Sequence, residues 1–472
     1  MRHDVIVVGG GVIARCVALE LSSRGLSVAT VSKSSTLDRT ASVAAGAMLG
    51  AFAEFVQSKW LFADQEEARL RISAGRMWEE WFRTHISGSQ ADTAIRRGTF
   101  IVANNTGSHD DENIHFIKAQ ADAWAEKNQW VDPRDVPGLE PHKLARPQRV
   151  LSLPTEGYIE SRVLMQALCA AIGADPAITE IDEDVTAIDA ASRGGTVRTL
   201  AGQALHGQII VVAAGANTLR LLPWLDLRVK GRPLTMLGGR GTSMVVDSTI
   251  PFPGVLRTPN RDFACGSHVV PLSDGRIYIG ATNRLEKNDF SDPKPSVGEL
   301  HALCHSLANE ISHQLRLAPV LEMRAGYRPI SSDGYPLFGH TGHDGILIAS
   351  GTYRNGILMA PAIARSVADD ILSGGQRDGG VFSPLNRDRL HNDRNPDHEL
   401  LGSVGQMVSF LQEPDGKLPF NRACELESLI RGLLGNALCG GEFSQVQDVV
   451  RGMLDRYPIQ EALPLILYEM SQ

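Results

Sequence analysis

Three observations predict an α/β protein. An apolar, β-branched run at the start of the chain, Asp4-Val5-Ile6-Val7-Val8, enters a glycine cluster and leaves it as a helical pattern through Val12, Val17, Ala18 and Leu21. A second strand–glycine–helix order comes late, at Ile346-Leu347-Ile348-Ala349-Ser350-Gly351 and onward. Strand-like and amphipathic helical segments fill the interval, in a chain of 472 residues that is too long for one core, so two or three domains are expected.

The first strand and helix enclose Gly9-x-Gly11-x-x-Ala14, the dinucleotide fingerprint in its G-x-G-x-x-A form. Gly9 permits the tight turn and Gly11 lets a pyrophosphate approach the backbone. Ala14 keeps helix and strand close, and the helix start at Val12 and Ile13 offers free N–H groups and a positive dipole end. The helix ends at Arg24-Gly25 and a second apolar strand comes next, Ser27 to Val31. Such folds usually carry an acid there for the ribose hydroxyls. This chain has Ser32-Lys33-Ser34 instead, which leaves two readings open: a 2′-phosphate site as for NADP, or an FAD site with a weaker ribose contact from Ser32 or the backbone.

Bulk properties narrow the function. The chain is 43% hydrophobic and 21% charged, with a formal charge of -8. Its pI near 6.0 argues against nucleic acid or an anionic membrane as partner. The six cysteines are scattered, with no C-x-x-C and no His pair at zinc spacing, as expected of reduced thiols in a cytoplasmic protein; no metal is expected. The nucleotide unit starts at residue 4, so no signal peptide is expected. No apolar run approaches the length of about 18 residues that a transmembrane helix needs.

Arg39 to Glu54 is small, apolar and glycine-rich, with no charged group between Thr40 and Ala53. Small residues after the second strand suit a flat ring system lying against backbone. Here the chain resembles the glycine oxidase branch of the D-amino-acid oxidase family, which carries a similar Thr-x-Ser-x-Ala-Ala-Gly-Met-Leu-x-x-x-Ala-Glu stretch. The resemblance implies that Thr40, Ala41, Ser42, Ala45, Gly46 and Met48 run along FAD. The loop departs by one residue, reading Ala45-Gly46-Ala47-Met48-Leu49.

Residues 57 to 88 read as a helix with Trp60, Leu61, Leu70, Ile72, Met77, Trp78 and Trp81 as its apolar residues, the tryptophans expected in the core. Gly98 to Ala103 reads as a strand and His109 to Asn128 as an amphipathic helix, whose acidic start at Asp110-Asp111-Glu112 suits the helix dipole better than a metal. Val163 to Ile172 is a further helix. Ile178 to Ile188, Thr196 to Leu200 and Ile209 to Asn217 are expected to complete the nucleotide-binding sheet, with Ala214-Gly215 closing near the FAD diphosphate by the resemblance. Val229-Lys230-Gly231 resembles the family's re-entry into its substrate domain. Asp274-Gly275 between alternating runs predicts a hairpin. His268 stands where glycine oxidases tend to have a tyrosine near the substrate, against the alternative that it only packs in the hairpin.

The chemistry is expected late in the chain. Tyr327-Arg328-Pro329 followed by Asp333-Gly334-Tyr335-Pro336 and Gly339 is similar to the family's Gly-hydrophobic-Arg-Pro…Asp-Gly-x-Pro-x-x-Gly run, whose arginine pairs with the substrate carboxylate; the residue implied is Arg328. A planar guanidinium grips a carboxylate with two parallel bonds. Gly351-Thr352-Tyr353-Arg354-Asn355-Gly356-Ile357-Leu358-Met359-Ala360-Pro361 resembles the family's Gly-x-x-Arg-Asn-Gly-Ile-Leu-x-Ala-Pro motif almost residue for residue. That likeness implies a helix aimed at the flavin, with Tyr353 to Leu358 beside it and Arg354 near flavin edge or carboxylate. Pro361 is read as lying in the helix's first turn, where proline is tolerated.

The expectation is therefore α/β: a Rossmann-like FAD-binding domain (1–56, 150–230, 325–385), a sheet-based α+β substrate domain (57–149, 231–324) and an all-helical C-terminal extension (398–472). The resemblance implies a noncovalent FAD and an amine or amino-acid oxidase acting on glycine, an N-substituted glycine or a D-amino acid, with O2 as acceptor and H2O2 formed. Two alternatives stay open: a specialised biosynthetic oxidase of an N-substituted, including N–N bonded, glycine, or a dehydrogenase passing electrons to a partner protein. The extension, helical by its apolar spacing at Leu426, Leu429, Ile430, Leu433 and Leu434, fits a packed bundle, a homo-oligomer contact or a docking module.

Overall fold

The structure, a computed structural model, describes residues 3–57, 62–86, 95–105, 110–143, 145–229, 232–260, 266–287, 290–374 and 380–386. The extension 398–472 lies outside the described residues, as do Trp60, Leu61, His109, Lys230 and Gly231.

Strand β1 (Val5–Val8) is buried along its whole length and leads into helix α1 (Val12–Ser23) and strand β2 (Val28–Val31). Their sheet has six strands in the order Leu337–His340, Ile346–Ser350, Ile210–Val212, β1, β2, Ile178–Ile181. All neighbours are parallel except the Leu337–His340 edge. A parallel strand covered on both faces has no polar side to show, which is why β1 and Ile346–Ser350 read as unbroken apolar runs. The helix Gly356–Leu372 packs on α1 and on the helix Phe62–His85. Trp78 and Trp81 are fully enclosed there.

Three expectations are corrected. Ile178 to Ile188 is not one strand, and Thr196 to Leu200 does not join the nucleotide-binding sheet: Ile178–Ile181 joins the parallel sheet, while Val185–Ala190 pairs with Gly195–Thr199 in a separate three-stranded antiparallel sheet completed by Ala204–Gly207. The acidic run Asp182-Glu183-Asp184 separates the two, three charges that a buried strand could not continue through. Pro361 lies inside the helix Gly356–Leu372, past its first turn. A proline there leaves the carbonyl of Ile357 without its helical donor. The Trp78 indole supplies one, its Nε1 donating to the Ile357 and Leu358 oxygens at 3.2 and 3.0 Å.

A second, ten-stranded sheet runs from the short strand Met48–Leu49 through Pro147–Ile159 and Ile95–Asn104 to the strand Met236–Asp247, which carries Val320–Ser331 along its length. His268–Pro271 and Arg276–Gly280 form the hairpin that Asp274-Gly275 predicts, with Gly275 in the left-handed region at φ +83. No helix among the described residues is long and apolar enough to cross a membrane.

Candidate active site

One cavity of about 660 Å³ runs from the carboxyl ends of β1 and β2 to the face of the second sheet. Every residue that the sequence assigns to cofactor or substrate lines it, with one exception. Leu358 is 2% exposed and belongs to the core under the Trp78 indole.

At the nucleotide end, Gly9 sits at φ +132, and a Cβ there would stand 2.3 Å from the Ala213 oxygen. Only glycine fits this crossing of β1 and the segment after Ile210–Val212. Gly11 is the extended N-cap of α1, and the Ser42 hydroxyl accepts from the Val12 N–H at 3.0 Å. Thr40 caps the single turn Ala41–Ala44 that carries Ser42. In the following loop Ala47 takes a left-handed φ of 49 while its carbonyl accepts from the Ile159 N–H at 3.1 Å. Gly46 leaves room for Tyr278, whose ring would stand 2.7 Å from a Cβ.

At the other end the strand Val320–Ser331 brings Arg328 opposite Gly239 of Met236–Asp247. The Arg328 Nη1 donates to the Thr282 carbonyl at 2.9 Å and to Asn283 Oδ1 at 3.3 Å. Both acceptors are neutral, and among the described residues Arg328 has no carboxylate partner. Asn283 then donates through Nδ2 to the Tyr353 hydroxyl at 2.7 Å. Tyr353, left-handed at φ 47, is tied by its N–H to the Pro329 oxygen at 2.8 Å. Arg354 lies over the Tyr353 ring, 4.8 Å from its centroid. Asn355 precedes the helix that opens at Gly356 and Ile357.

The sequence pattern missed the polar wall between these arginines. Glu54, Arg257 and Asn260 are all buried. Arg257 Nη1 meets Glu54 Oε1 at 2.6 Å and its Nη2 meets Asn260 Oδ1 at 2.5 Å, while Asn260 Nδ2 donates to Glu54 Oε2 at 2.8 Å. Arg354 joins this network through Glu54 at 3.5 Å and Asn260 at 3.3 Å. Burial opposes charge on Glu54, but Arg257 and Arg354 outweigh it and hold the carboxyl below the usual carboxylate range. The available signal was a lone charge closing an apolar strand, Val255-Leu256-Arg257.

His268 is the cross-strand partner of Arg257 and stacks on Tyr278 with ring centroids 5.9 Å apart. Burial, then the charges of Arg257 and Arg328, push its imidazole down to about 3, so it is neutral at physiological pH.

Comparison with known proteins decides what this cavity belongs to: the family model described as DAO, FAD dependent oxidoreductase, matches residues 4–370. The chain belongs to the DAO family of FAD-dependent oxidoreductases. It is 31% identical over 377 residues to the glycine oxidase of Geobacillus kaustophilus (strain HTA426), covering 78% of this chain and 92% of that one. A glycine oxidase of Bacillus licheniformis is 28% identical over 376 residues, 79% of this chain and 93% of the other. The crystal structure of glycine oxidase from Geobacillus kaustophilus superposes with a TM-score of 0.68 at 25% identity, over 82% of this chain and 99% of that one. The protein is thus an FAD-dependent oxidoreductase acting on C–N groups, and its fold is the expected α/β one with a Rossmann-like sheet.

The residues present fit the flavin dinucleotide of this oxidoreductase. Gly9, Gly10 and Gly11 line the cavity as bare backbone, and close packing keeps them so: a Cβ on Gly10 would press on Leu37 and Ser32 at 2.9 and 3.0 Å. The start of α1 faces the cavity beside them, as a diphosphate requires. The small residues Ala41, Ala44, Ala45 and Gly46 leave a flat wall farther along.

Proposed function

We propose that this oxidoreductase takes two electrons from the C–N bond of a small amine that also bears a carboxylate: glycine, an N-substituted glycine or a D-amino acid. The imine formed takes up water to give an oxo acid and release the amine, and O2 accepts the electrons as H2O2. Bound FAD, held noncovalently through Gly9, Gly11, Ser42 and the small-residue wall, supplies the hydride acceptor.

One observation carries the substrate class. Among the described residues, Arg328 reaches the cavity with its charge answered only by a carbonyl and an amide oxygen. A guanidinium in such a setting gains most from a carboxylate ligand, which takes two parallel charge-assisted bonds and fixes the position of the α-carbon. Arg354, ion-paired with Glu54 at 3.5 Å and lying over the Tyr353 ring, adds a second positive charge to the same cavity, just before the helix Gly356–Leu372. Among the described residues no strong base stands out at this end: Glu54 is claimed by two arginines, and His268, pushed down to about 3, holds a proton only weakly. The substrate accordingly enters as the neutral amine, having lost its proton to solvent. The free thiols Cys16, Cys169 and Cys304 support a reducing, cytoplasmic setting.

The test is a panel of glycine, N-methylglycine, larger N-alkylglycines and D-alanine, scored by anaerobic bleaching of the flavin and by peroxide release in air. Bleaching by an amine carboxylate, and not by the matching amine without its carboxylate, is expected. Equal bleaching by the two would overturn the carboxylate grip. Bleaching without peroxide in air would replace O2 by another acceptor.

A further inference from the structure

The acid that dinucleotide folds place at the end of β2 is missing, because Ser32 and Lys33 stand there. The neighbouring strand of the sheet adjoins that position. Strand Ile178–Ile181 lies parallel to β2 in the register Val31↔Ile181, and the Ser32 N–H donates to the Ile181 oxygen at 3.1 Å. The two carboxyl ends therefore sit side by side at the edge where such sheets bind their ligands. Directly after Ile181 the chain carries three acids in a row, Asp182-Glu183-Asp184.

These three acids divide their work. Asp182 is turned back on β2: its Oδ1 accepts from the Ser34 N–H at 2.6 Å, and its carbonyl and Oδ2 take the Lys33 ammonium at 3.2 and 3.4 Å. Glu183 and Asp184 instead line the cavity together with Ser32 and Lys33, half-buried. Neither of their side chains has a hydrogen-bond or ion-pair partner among the described residues.

We propose that Glu183 and Asp184 supply the ribose-binding carboxylate for the adenosine half of FAD, displaced by one strand from its usual place at the end of β2. A carboxylate accepts both hydroxyls of a ribose, and charge-assisted acceptors of this kind are the strong ones. The same negative charge repels a 2′-phosphate, and the Lys33 ammonium that could have answered one is held by Asp182. The segment thus selects an adenosine with free ribose hydroxyls, against the NADP reading that Ser32-Lys33 leaves open.

The experiment uses the full chain. FAD release on dilution of the holoenzyme is monitored by the fluorescence of free flavin for wild type, Glu183→Gln, Asp184→Asn and the double variant. FMN, which has no adenosine ribose, is titrated into the same proteins after removal of FAD. The double variant is expected to hold FAD about 10- to 100-fold more weakly, the loss of charge-assisted bonds to a diol, while FMN binds as in wild type. Adding Ser32→Glu to the double variant, which restores an acid at the usual strand end, is expected to recover FAD affinity. Unchanged FAD affinity in the double variant would overturn the proposal, and so would an equal loss for FMN.

Discussion

Arg328 lies flat against Gly241. A Cβ at that glycine would stand 2.3 Å from both Nη atoms and 2.4 Å from Cζ. The bare backbone at 241 is therefore the floor on which the guanidinium rests. Gly241→Ala must lift Arg328 away from the cavity wall while leaving its charge in place. An overpacked contact of this kind costs about 1–3 kcal/mol, so KM for an amine carboxylate should rise roughly 10-fold or more with the flavin spectrum intact. Steady-state kinetics beside an absorbance spectrum checks this. Wild-type KM in that variant would mean that Arg328 does not touch the substrate.

Removing the charge itself should do more. Arg328→Ala is expected to raise KM for amine carboxylates by about 10²-fold, as loss of a bidentate charge-assisted contact near 3 kcal/mol implies. Arg328→Lys keeps the charge without the planar fork and should fall between the two. Unchanged kinetics in the alanine variant would remove the assigned role.

Glu54 is the hub on which Arg257 and Arg354 both depend. Arg257 is 1% exposed, so Glu54→Gln leaves a buried guanidinium without its counter-ion. Breaking a buried pair on one side typically costs about 3–5 kcal/mol. The depressed carboxyl sets the pH sign: the folded state keeps Glu54 ionised where an unfolded chain would protonate it, so its contribution is whole at neutral pH and is lost as pH falls below the ordinary 4.5. Denaturant unfolding at pH 7 and pH 4 should show the variant far below wild type at pH 7, with a smaller gap at pH 4. A constant gap would assign the loss to packing alone.

How much of the molecule was legible in sequence depends on what each residue interacts with. Gly9 and Gly11 stood out because they keep the fixed spacing of a dinucleotide fingerprint between a strand and a helix, and the Gly351 to Pro361 run stood out through its resemblance to the family's motif. Glu54 and Arg257 are 203 positions apart and meet only because the ten-stranded sheet holds both Val255–Arg257 and Met48–Leu49, the strand just before Glu54; no periodicity encodes that. The strand glycines Gly239 and Gly241 were equally silent, since the need for a missing side chain is set by Asn283 and Arg328 across the fold. Splitting Ile178 to Ile188 into two sheets was encoded locally, in the acidic run 182–184, but the apolar residues either side of it outweighed the break.

Glu156 gives the last expectation and the opposite pH sign. It is buried behind the cavity loop, its Oε1 accepting from the Phe52 and Ala53 N–H groups at 2.5 and 3.3 Å while Oε2 has no partner among the described residues. Burial outweighs those two bonds and the pull of Arg257, raising the carboxyl from 4.5 to about 7. The folded state therefore keeps a proton that the unfolded chain has already released, and stability is full below 4.5 and falls as pH rises toward 7. The interval corresponds to roughly 3 kcal/mol. Glu156→Gln retains a carbonyl for the two N–H donors and never ionises. It should match wild type at pH 5 and exceed it at pH 8 by about 1–3 kcal/mol, read from urea unfolding of the holoenzyme. A variant weaker than wild type at both values would show that the ionised carboxylate, not the neutral acid, is what the loop Gly50 to Glu54 holds.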